Sequence, residues 1–497
     1  MTTAVHERLR VTDPARWREL ALSWRRWATL AGRLAAEVGL RVAALGEVWR
    51  GAAATAAARR LDESRRRLTL FRLHCWVADQ VTSEFAATLT RARALLTRAL
   101  AAGAPGRDDN GDFSAALLVA ARADAEATVR LERLTRAIEV PARPPGPGRP
   151  DCATSPAGVR RWWDGLAAEE RAWLLTTEAV WLARLDGLPV ADRDVANRLL
   201  LDDRRAEIDR AVAGATGRER DRLRDVRDGL ARLSDRLADE NGPRAYLLSL
   251  DTGAEGRAVV ALGDPDRSDK VLTHVPGMTA DLASFGGELA RAERVAVRAA
   301  ELTPRSATSA ILWLDYDAPD FVDEAASARR AEAAAPALRQ FQEGLRAGHE
   351  GPPARQVVLG HSYGSLVVGQ AAATGFEADG VVFVGSPGVG VDSARELRVP
   401  PGDVWSSTSR GDVIQYAAVA PGGLVRDLVT AGSVPVAGPW LAFGRPERDL
   451  WFGHNPSDPA FGARVFASAP GGGHVGYWDN GSPSLDTLAA ITTGAAR

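Results

Sequence analysis

Ser362, Asp412 and His474 are the residues whose types and order could carry covalent catalysis in this chain. Ser362 lies in Gly360-His361-Ser362-Tyr363-Gly364, a GxSxG pattern. With 48 glycines in the chain, those letters alone are a weak signal. Their setting is stronger. Gln356 to Leu359 is a short β-branched and apolar run of the kind buried on both faces of a parallel sheet, and Leu366 to Ala373 continues as a helix of small and apolar residues. Strand, one-residue corner and helix in immediate succession predict a nucleophile elbow. There the serine is held in a strained turn, and both glycines are needed because side chains would collide with the crossing strand and helix.

A serine hydroxyl is a poor nucleophile near neutral pH, so a base must accept its proton and an acid must orient that base. Where the serine sits in a nucleophile elbow between strand and helix, the chain order is Ser, then Asp or Glu, then His. Of the seven histidines, His454 and His474 follow Ser362 at a distance, whereas His361 is the variable residue of the elbow and is expected to point away from the hydroxyl. His474 follows Pro470-Gly471-Gly472-Gly473, after the last expected strand and before the C-terminal helix, which suits a base on a flexible loop at the sheet edge. His454, in WFGHNPSDPAFG, is expected to line the site or pack in a loop. Asp412, in Ser409-Arg410-Gly411-Asp412-Val413, leaves the strand VWSSTS and is the candidate acid; the alternative is a turn aspartate satisfying its own backbone. Asp403 precedes that strand, at the wrong end.

A tetrahedral oxyanion needs two preorganised N–H donors. One is expected from Tyr363, directly after the serine, and the other from the loop Val275-Pro276-Gly277-Met278-Thr279, with Gly277 or Met278 as donor. Trp313, Tyr316 and Pro319, at the end of the next strand, could wall an acyl pocket or simply pack. In Gly385-Ser386-Pro387-Gly388, the small Ser386 would keep space open beside Ser362. The chemistry requires neither metal nor cofactor.

The elements that would position these residues begin after Asn241-Gly242-Pro243, where short apolar runs alternate with helix-length segments, as in an α/β parallel sheet. About eight strands are expected, near Tyr246–Leu250, Arg257–Leu262, Val271–Val275, Ala310–Asp315, Gln356–Leu359, Gly380–Val384, Val404–Thr408 and Arg464–Ala467. Helices are expected near Asp281–Leu302, Glu324–Arg346, Ser365–Ala373 and Leu485–Thr492.

Upstream the chain reads as all-α. Thr12 or Asp13 would cap a long helix with Pro14 at its first position, and Trp17, Leu20, Trp24, Trp27, Leu30, Leu34 and Val38 recur at spacings of three and four as its apolar face. Trp49-Arg50-Gly51 then turns the chain into a second helix, the tryptophan covering the corner. Within a helical hairpin or bundle over residues 1–140, helix, WxG turn and return helix make the first 100 residues resemble the WXG hairpin proteins associated with type VII secretion; a plain structural hairpin is the other reading. That family's export tag, a tyrosine followed four residues later by an acid, finds only Tyr316 and Asp320, in mid-domain. Residues 141–154, including PARPPGPGRP, read as a Pro-rich linker. Residues 155–241 form a second helical segment, a candidate lid or docking domain. Its seam Leu223, Val226, Leu230, Leu233 and Leu237 favours packing on neighbouring helices over a dimeric coiled coil.

Composition sets the outer bounds. At 497 residues the chain should hold two or three domains, with 242–497 as the catalytic one. It is 45% hydrophobic and 25% charged, as in soluble globular proteins, and its net charge of −2 offers neither nucleic acid nor an anionic membrane any bulk attraction. Cys75 and Cys152 lack metal spacing and should be free thiols. The N-terminus has no apolar signal-peptide core and no stretch suits a transmembrane helix, so a cytoplasmic location or export by a non-Sec, type VII-like route is expected.

Taken together, GHSYGS, HVPGMT, LDYDAP, GSPGVG and the terminal GGGHVGYWD resemble an actinobacterial α/β-hydrolase family long catalogued as a domain of unknown function, over residues 155 to 497. Its members often carry a helical part with a segment like WWDGL…LDGLPVADRDVAN, also present here. The resemblance implies an α/β-hydrolase fold preceded by an all-α domain, and a Ser362, Asp412, His474 triad. The expected function is hydrolysis of a small-molecule or lipid carboxylic ester through an acyl-enzyme. The competing expectations are a secretion-linked effector whose hairpin docks a helical protein partner, with the hydrolase as payload, and a catalytically idle scaffold.

Overall fold

The computed structural model describes residues 2–101, 111–136, 148–151, 154–239, 242–412, 414 and 449–496. Most of the expected Pro-rich linker, and Cys152 with it, lies outside them. A short α1 (Thr2–Val11) leads into α2 (Pro14–Val48), where Asp13 accepts a hydrogen bond from the Ala15 N–H at 2.9 Å and Pro14 opens the first turn. Gly51 turns the corner at φ +112°, a conformation open to glycine, and α3 (Ala52–Ala101) returns along α2.

The hairpin is therefore present, but it packs on a different face from the one the apolar spacing suggests. Ala21, Ala28 and Ala31 are the buried side chains in the body of α2, whereas Leu20, Trp27, Leu30 and Leu34 are exposed. Small residues let two helices approach closely; at Gly32 even a Cβ would sit 2.7 Å from the Arg72 guanidinium carbon. The line of alanines therefore makes the contact and the larger stripe is turned outward. Two tryptophans of the expected stripe still face inward, Trp17 edge-on to Phe85 at 4.6 Å and Trp24 half-buried against the main core, so the contact face overlaps the stripe at one edge. Trp49, expected to cover the corner, is itself exposed.

α3 packs on α4 (Asp112–Arg136) around Phe85, Leu89, Leu95 and Leu117. Five further helices follow: α5 (Pro156–Gly165), α6 (Ala168–Thr177), α7 (Ala179–Leu182), α8 (Val190–Gly214) and α9 (Gly217–Ala238). The seam Leu223, Val226, Leu230, Leu233 and Leu237 is buried in the chain's own core, as expected for packing on neighbouring helices.

In a strand, successive side chains point to opposite faces, so an all-apolar run must be covered twice. β5 (Arg355–His361) shows this, with Val357 and Leu359 in one core and Val358 in the other. It is central to an eight-stranded sheet ordered β1-β2-β4-β3-β5-β6-β7-β10. The other members are β1 (Ala245–Asp251), β2 (Arg257–Leu262), β3 (Lys270–Val275), β4 (Thr308–Leu314), β6 (Gly380–Val384), β7 (Val404–Ser407) and β10 (Arg464–Val465). β1, β2 and β4 pair antiparallel, and from β4 onward the pairs are parallel.

Parallel neighbours require crossovers, which here supply the helices of both faces. α10 (Phe285–Leu302) and α14 (Pro483–Thr493) cover one, and α12 (Arg329–Gly348) and α13 (Tyr363–Thr374) the other; a single turn, α11 (Val322–Ala325), precedes α12. The sheet is mostly parallel and preceded by a long helical region, the fold class expected from the sequence. β8 (Asp449–Leu450) and β9 (Gly453–His454) form a separate small hairpin.

The helices from Arg160 to Arg236 are built into the body. Asp194 of α8, itself buried, accepts from the Leu247 N–H of β1 at 2.8 Å and from the Arg244 guanidinium at 3.1 Å, and that same guanidinium reaches Asp79 of α3 at 3.2 Å. Three parts of the chain thus share one buried ion cluster.

Candidate active site

β5 delivers Ser362 to the carboxyl end of the sheet, and α13 starts at the next residue. The corner has no room for side chains on its flanks. A Cβ on Gly360 would sit 2.5 Å from Ser365 Cα, and one on Gly364 would sit 2.3 Å from the carbonyl oxygens of both Val275 and Pro276. Squeezed between them, Ser362 takes φ +52° and ψ −129°, a strained conformation for a residue with a side chain. Its own N–H donates to the Val384 carbonyl at 3.1 Å, which pins the corner to β6.

Asp412 and His474 come together across 62 residues of chain: His474 Nδ1 lies 2.9 Å from each carboxylate oxygen of Asp412. The Asp412 side chain is buried, and burial by itself would raise its pKa. The hydrogen bond and charge of His474, the Tyr477 hydroxyl and the Ile414 N–H outweigh burial and hold the carboxyl below its ordinary value. Gly385, just after β6, is packed against this pair. A Cβ there would fall 2.7 Å from Asp412 Oδ2 and 3.1 Å from His474 Nδ1 and Cε1. The glycine's φ of +56° and its missing side chain let the acid and base close up beside the elbow.

Two residues at the site were not assigned these roles from the sequence. The Tyr477 hydroxyl donates to Asp412 Oδ2 at 2.6 Å and accepts from the Ser409 N–H at 3.0 Å. Its signal was visible: Tyr477 follows His474 by three residues, as one turn of a tight helix would place it. His361, the variable residue of the elbow, packs against the His474 ring at 4.8 Å. Its Nε2 lies 2.9 Å from the His474 carbonyl oxygen, so the ring holds an N–H there and anchors the glycine-rich loop carrying the imidazole. Burial, reinforced by the neighbouring His474, pushes the His361 pKa down to about 3, so this ring is neutral at ordinary pH.

On the other side of Ser362 lies Gly277, where a Cβ would meet Ser362 Cβ at 2.5 Å and Oγ at 3.0 Å. The loop is braced from outside: the Tyr316 hydroxyl donates to the Pro276 carbonyl at 2.6 Å, and the Thr279 N–H donates to the Pro319 carbonyl at 3.0 Å. Met278 is half-buried against the core, and Thr279 carries a positive φ of 59°. Tyr363, as the first residue of α13, has an N–H without an intrahelical acceptor, and its hydroxyl donates to the Ser327 carbonyl at 2.6 Å.

The remaining expected residues divide. Tyr316 borders a cavity of about 770 Å³ at the end of β4, together with Arg257, Asp315, Glu324, Ser327 and Arg330. Trp313 does not reach it. It is fully buried and stacked on Tyr316 at 6.1 Å, because its place within β4 commits it to the sheet core. Pro319 is buried and acts through its carbonyl. Ser386 is buried behind the elbow, its Oγ 2.6 Å from that of Ser365, and so supports the corner instead of lining open space. His454 is paired with Asp449 at 3.0 Å in the β8–β9 hairpin. That hairpin reaches the elbow through Phe452, which is edge-on to Tyr363 at 6.0 Å.

The chemistry open to this arrangement is specific. An imidazole with Nδ1–H facing a carboxylate can accept a proton at Nε2, and a buried carboxylate that stays ionised stabilises the imidazolium so formed. Among the described residues, no group of three or more His, Cys, Asp or Glu side chains is disposed to hold a metal ion.

Residues 251–421, from the last residue of β1 to beyond Asp412, match the family described as alpha/beta hydrolase. An uncharacterized protein of Mycobacterium tuberculosis is 30% identical over 397 residues, covering 72% of this chain and 57% of that protein. A second uncharacterized protein, from Mycobacterium bovis, is 34% identical over 195 residues, covering 37% of this chain and 71% of that protein. The chain thus spans little more than half the length of the first of these relatives. No solved structure matches it at a significant level. On the strength of these matches and of its sheet, the chain belongs to the alpha/beta hydrolase family.

Proposed function

We propose that the protein is a serine hydrolase that cleaves carboxylic esters through an acyl-enzyme. The observation that carries this reading is the strained Ser362 corner next to the hydrogen-bonded Asp412–His474 pair. In the proposed reaction, His474 Nε2 takes the Ser362 proton as Oγ attacks the ester carbonyl. The N–H groups of Tyr363 and of Gly277 or Met278 hold the oxyanion, and the proton then passes to the departing alcohol. Water repeats the sequence on the acyl-serine and restores the enzyme. The cavity bounded by Tyr316 and Ser327 would take one side of the substrate. Both residues are hydrogen-bonded to the elbow region, through Pro276 and Tyr363 respectively. The secretion-linked reading of the hairpin rests on the Trp49–Gly51 corner alone, a feature any helical hairpin can share.

The test is labelling of the purified protein with a fluorophosphonate, read by intact mass, alongside p-nitrophenyl ester turnover. A single adduct and measurable turnover, both lost in Ser362→Ala with folding unchanged, are expected. Equal turnover in the Ser362→Ala protein would remove this serine from the mechanism.

A further inference from the structure

The α2–α3 hairpin carries a charge that the rest of the chain does not share. From Pro14 to Leu70 there are twelve arginines against five carboxylates, in a chain whose formal net charge is −2. Concentrated positive charge on one segment of a mildly acidic protein marks a surface that meets an anionic partner.

This segment also projects. The last buried residue of α2 is Ala31 and the first of α3 is Leu70, and none between them is buried. From Ala52 to Leu70 that is about 27 Å of helix standing clear of the core, at 1.5 Å per residue. Along its outer side Leu20, Trp27 and Leu34 follow one another at intervals of seven and so line up, with Leu30 beside them and Arg16 and Arg41 at the two ends of the row. Trp27 is 52% exposed, and Leu40, Val48 and Trp49 toward the corner are exposed as well. Arg26 and Arg33 flank the row, and Arg50, Arg59 and Arg60 surround the corner. None of these five makes an ion pair with a described carboxylate.

An apolar row with an exposed tryptophan, edged by arginines of which Arg41 is ion-paired with Glu37 while Arg26 and Arg33 have no described carboxylate partner, has the pattern of a helix that lies in a lipid interface. The row enters the headgroup–acyl boundary, the indole sits at headgroup level, and the arginines reach phosphate oxygens. A nucleic acid would engage the arginines but leave the row in water. A helical protein would cover the row without requiring so strong a positive charge. No described helix is long and apolar enough to cross a membrane, so attachment would be to the surface. We propose that the outer face of α2, with the hairpin corner, is a docking surface for a lipid bilayer bearing anionic headgroups. The proposal is independent of the chemistry at Ser362.

The test is co-sedimentation of the full chain with phosphatidylcholine vesicles, with and without phosphatidylglycerol. Binding is expected only with the anionic lipid and should be released by salt. Arg26→Gln with Arg33→Gln should weaken partitioning roughly thirtyfold, from about 1 kcal/mol per basic residue near the surface. Trp27→Ser with Leu34→Ser should weaken it on the order of tenfold or more. Both pairs are exposed, so circular dichroism and the thermal midpoint should stay at the parent values. Folded parent protein left in the supernatant with anionic vesicles overturns the proposal. So does binding indifferent to Trp27→Ser and Leu34→Ser, which would reduce the effect to bulk charge. A concentration-dependent mass increase that these substitutions abolish, in place of vesicle binding, would assign the face to a second copy and equally overturn it.

Discussion

The Tyr477 hydroxyl lies 2.6 Å from Asp412 Oδ2, and the same carboxylate faces His474 Nδ1 with both of its oxygens at 2.9 Å. The phenol thus fixes the rotation of the acid that fixes the base. Its own pKa is driven up, first by burial and then by the Asp412 charge, so it remains a donor at every working pH. Tyr477→Phe removes that donor and leaves the ring. Stability should fall by about 1.5–3 kcal/mol, the worth of a hydrogen bond to a charged group. In the proposed hydrolase kcat should drop roughly tenfold with KM unchanged, since a loosened Asp412 misaligns His474 without touching substrate. Urea unfolding and steady-state kinetics on one preparation check both; a change in KM alone would mean that Tyr477 contacts substrate instead.

Gly277 presses on Ser362 so closely that any side chain must displace it, a Cβ at 2.5 Å from Ser362 Cβ being far inside contact distance. Gly277→Ala should therefore cost ester turnover on the order of a hundredfold or more, the scale of a lost oxyanion donor, while destabilising the fold by only about 1–3 kcal/mol. The decisive comparison is the rate of fluorophosphonate labelling in folded parent and variant protein. Equal rates would show that the loop can shift without disturbing the serine.

The elbow was legible because burial on both faces forces an uninterrupted apolar strand and because crowding forces glycines, and both leave marks in a single stretch of sequence. Asp412 and His474 could be ranked on other grounds, the chain order that accompanies a nucleophile elbow and, for Asp412, its place just after a strand. The packing face of α2 was not legible. Periodicity reveals an apolar stripe, but the contact goes to whichever side allows closest approach, and here Ala21, Ala28 and Ala31 prevail over Leu20, Trp27 and Leu34. Nor was the cluster of Asp79, Asp194 and Arg244, since each charge read by itself belongs on a solvated face. Only the tertiary fold brings α3, α8 and β1 to one point.

That cluster makes its own prediction. Arg244 is buried, bridges Asp79 and Asp194, and stacks over Tyr246 at 4.4 Å. Arg244→Met preserves much of the packing but leaves two carboxylates buried without this partner, which typically costs about 3–5 kcal/mol. Chemical denaturation should show a loss of this size. The exposed Arg26→Gln, as a control, should stay within about 0.5 kcal/mol of the parent. A loss for Arg244→Met no larger than the control's would mean that Arg25 and Arg198, which also reach these carboxylates, neutralise them unaided.

His361 predicts how stability should depend on pH. Burial, then the neighbouring His474, lowers its pKa from 6.5 to about 3, so between those values the unfolded chain binds a proton that the native ring refuses. With more protons on the unfolded state, stability rises with pH across that window. It is fully present above 6.5 and is lost as the pH falls toward 3, at up to ~1.4 kcal/mol per unit. His361→Gln can place an amide N–H where Nε2 reaches the His474 carbonyl but has no proton to gain. Near pH 7.5 the variant should be equal to or slightly less stable than the parent. Below pH 6.5 the parent should lose ground to it steadily, with urea midpoints converging and then crossing. A difference between the two proteins that stays constant from pH 7.5 to pH 4 would show that the native ring titrates as freely as the unfolded one, and that its bond to the His474 loop does not depend on its remaining neutral.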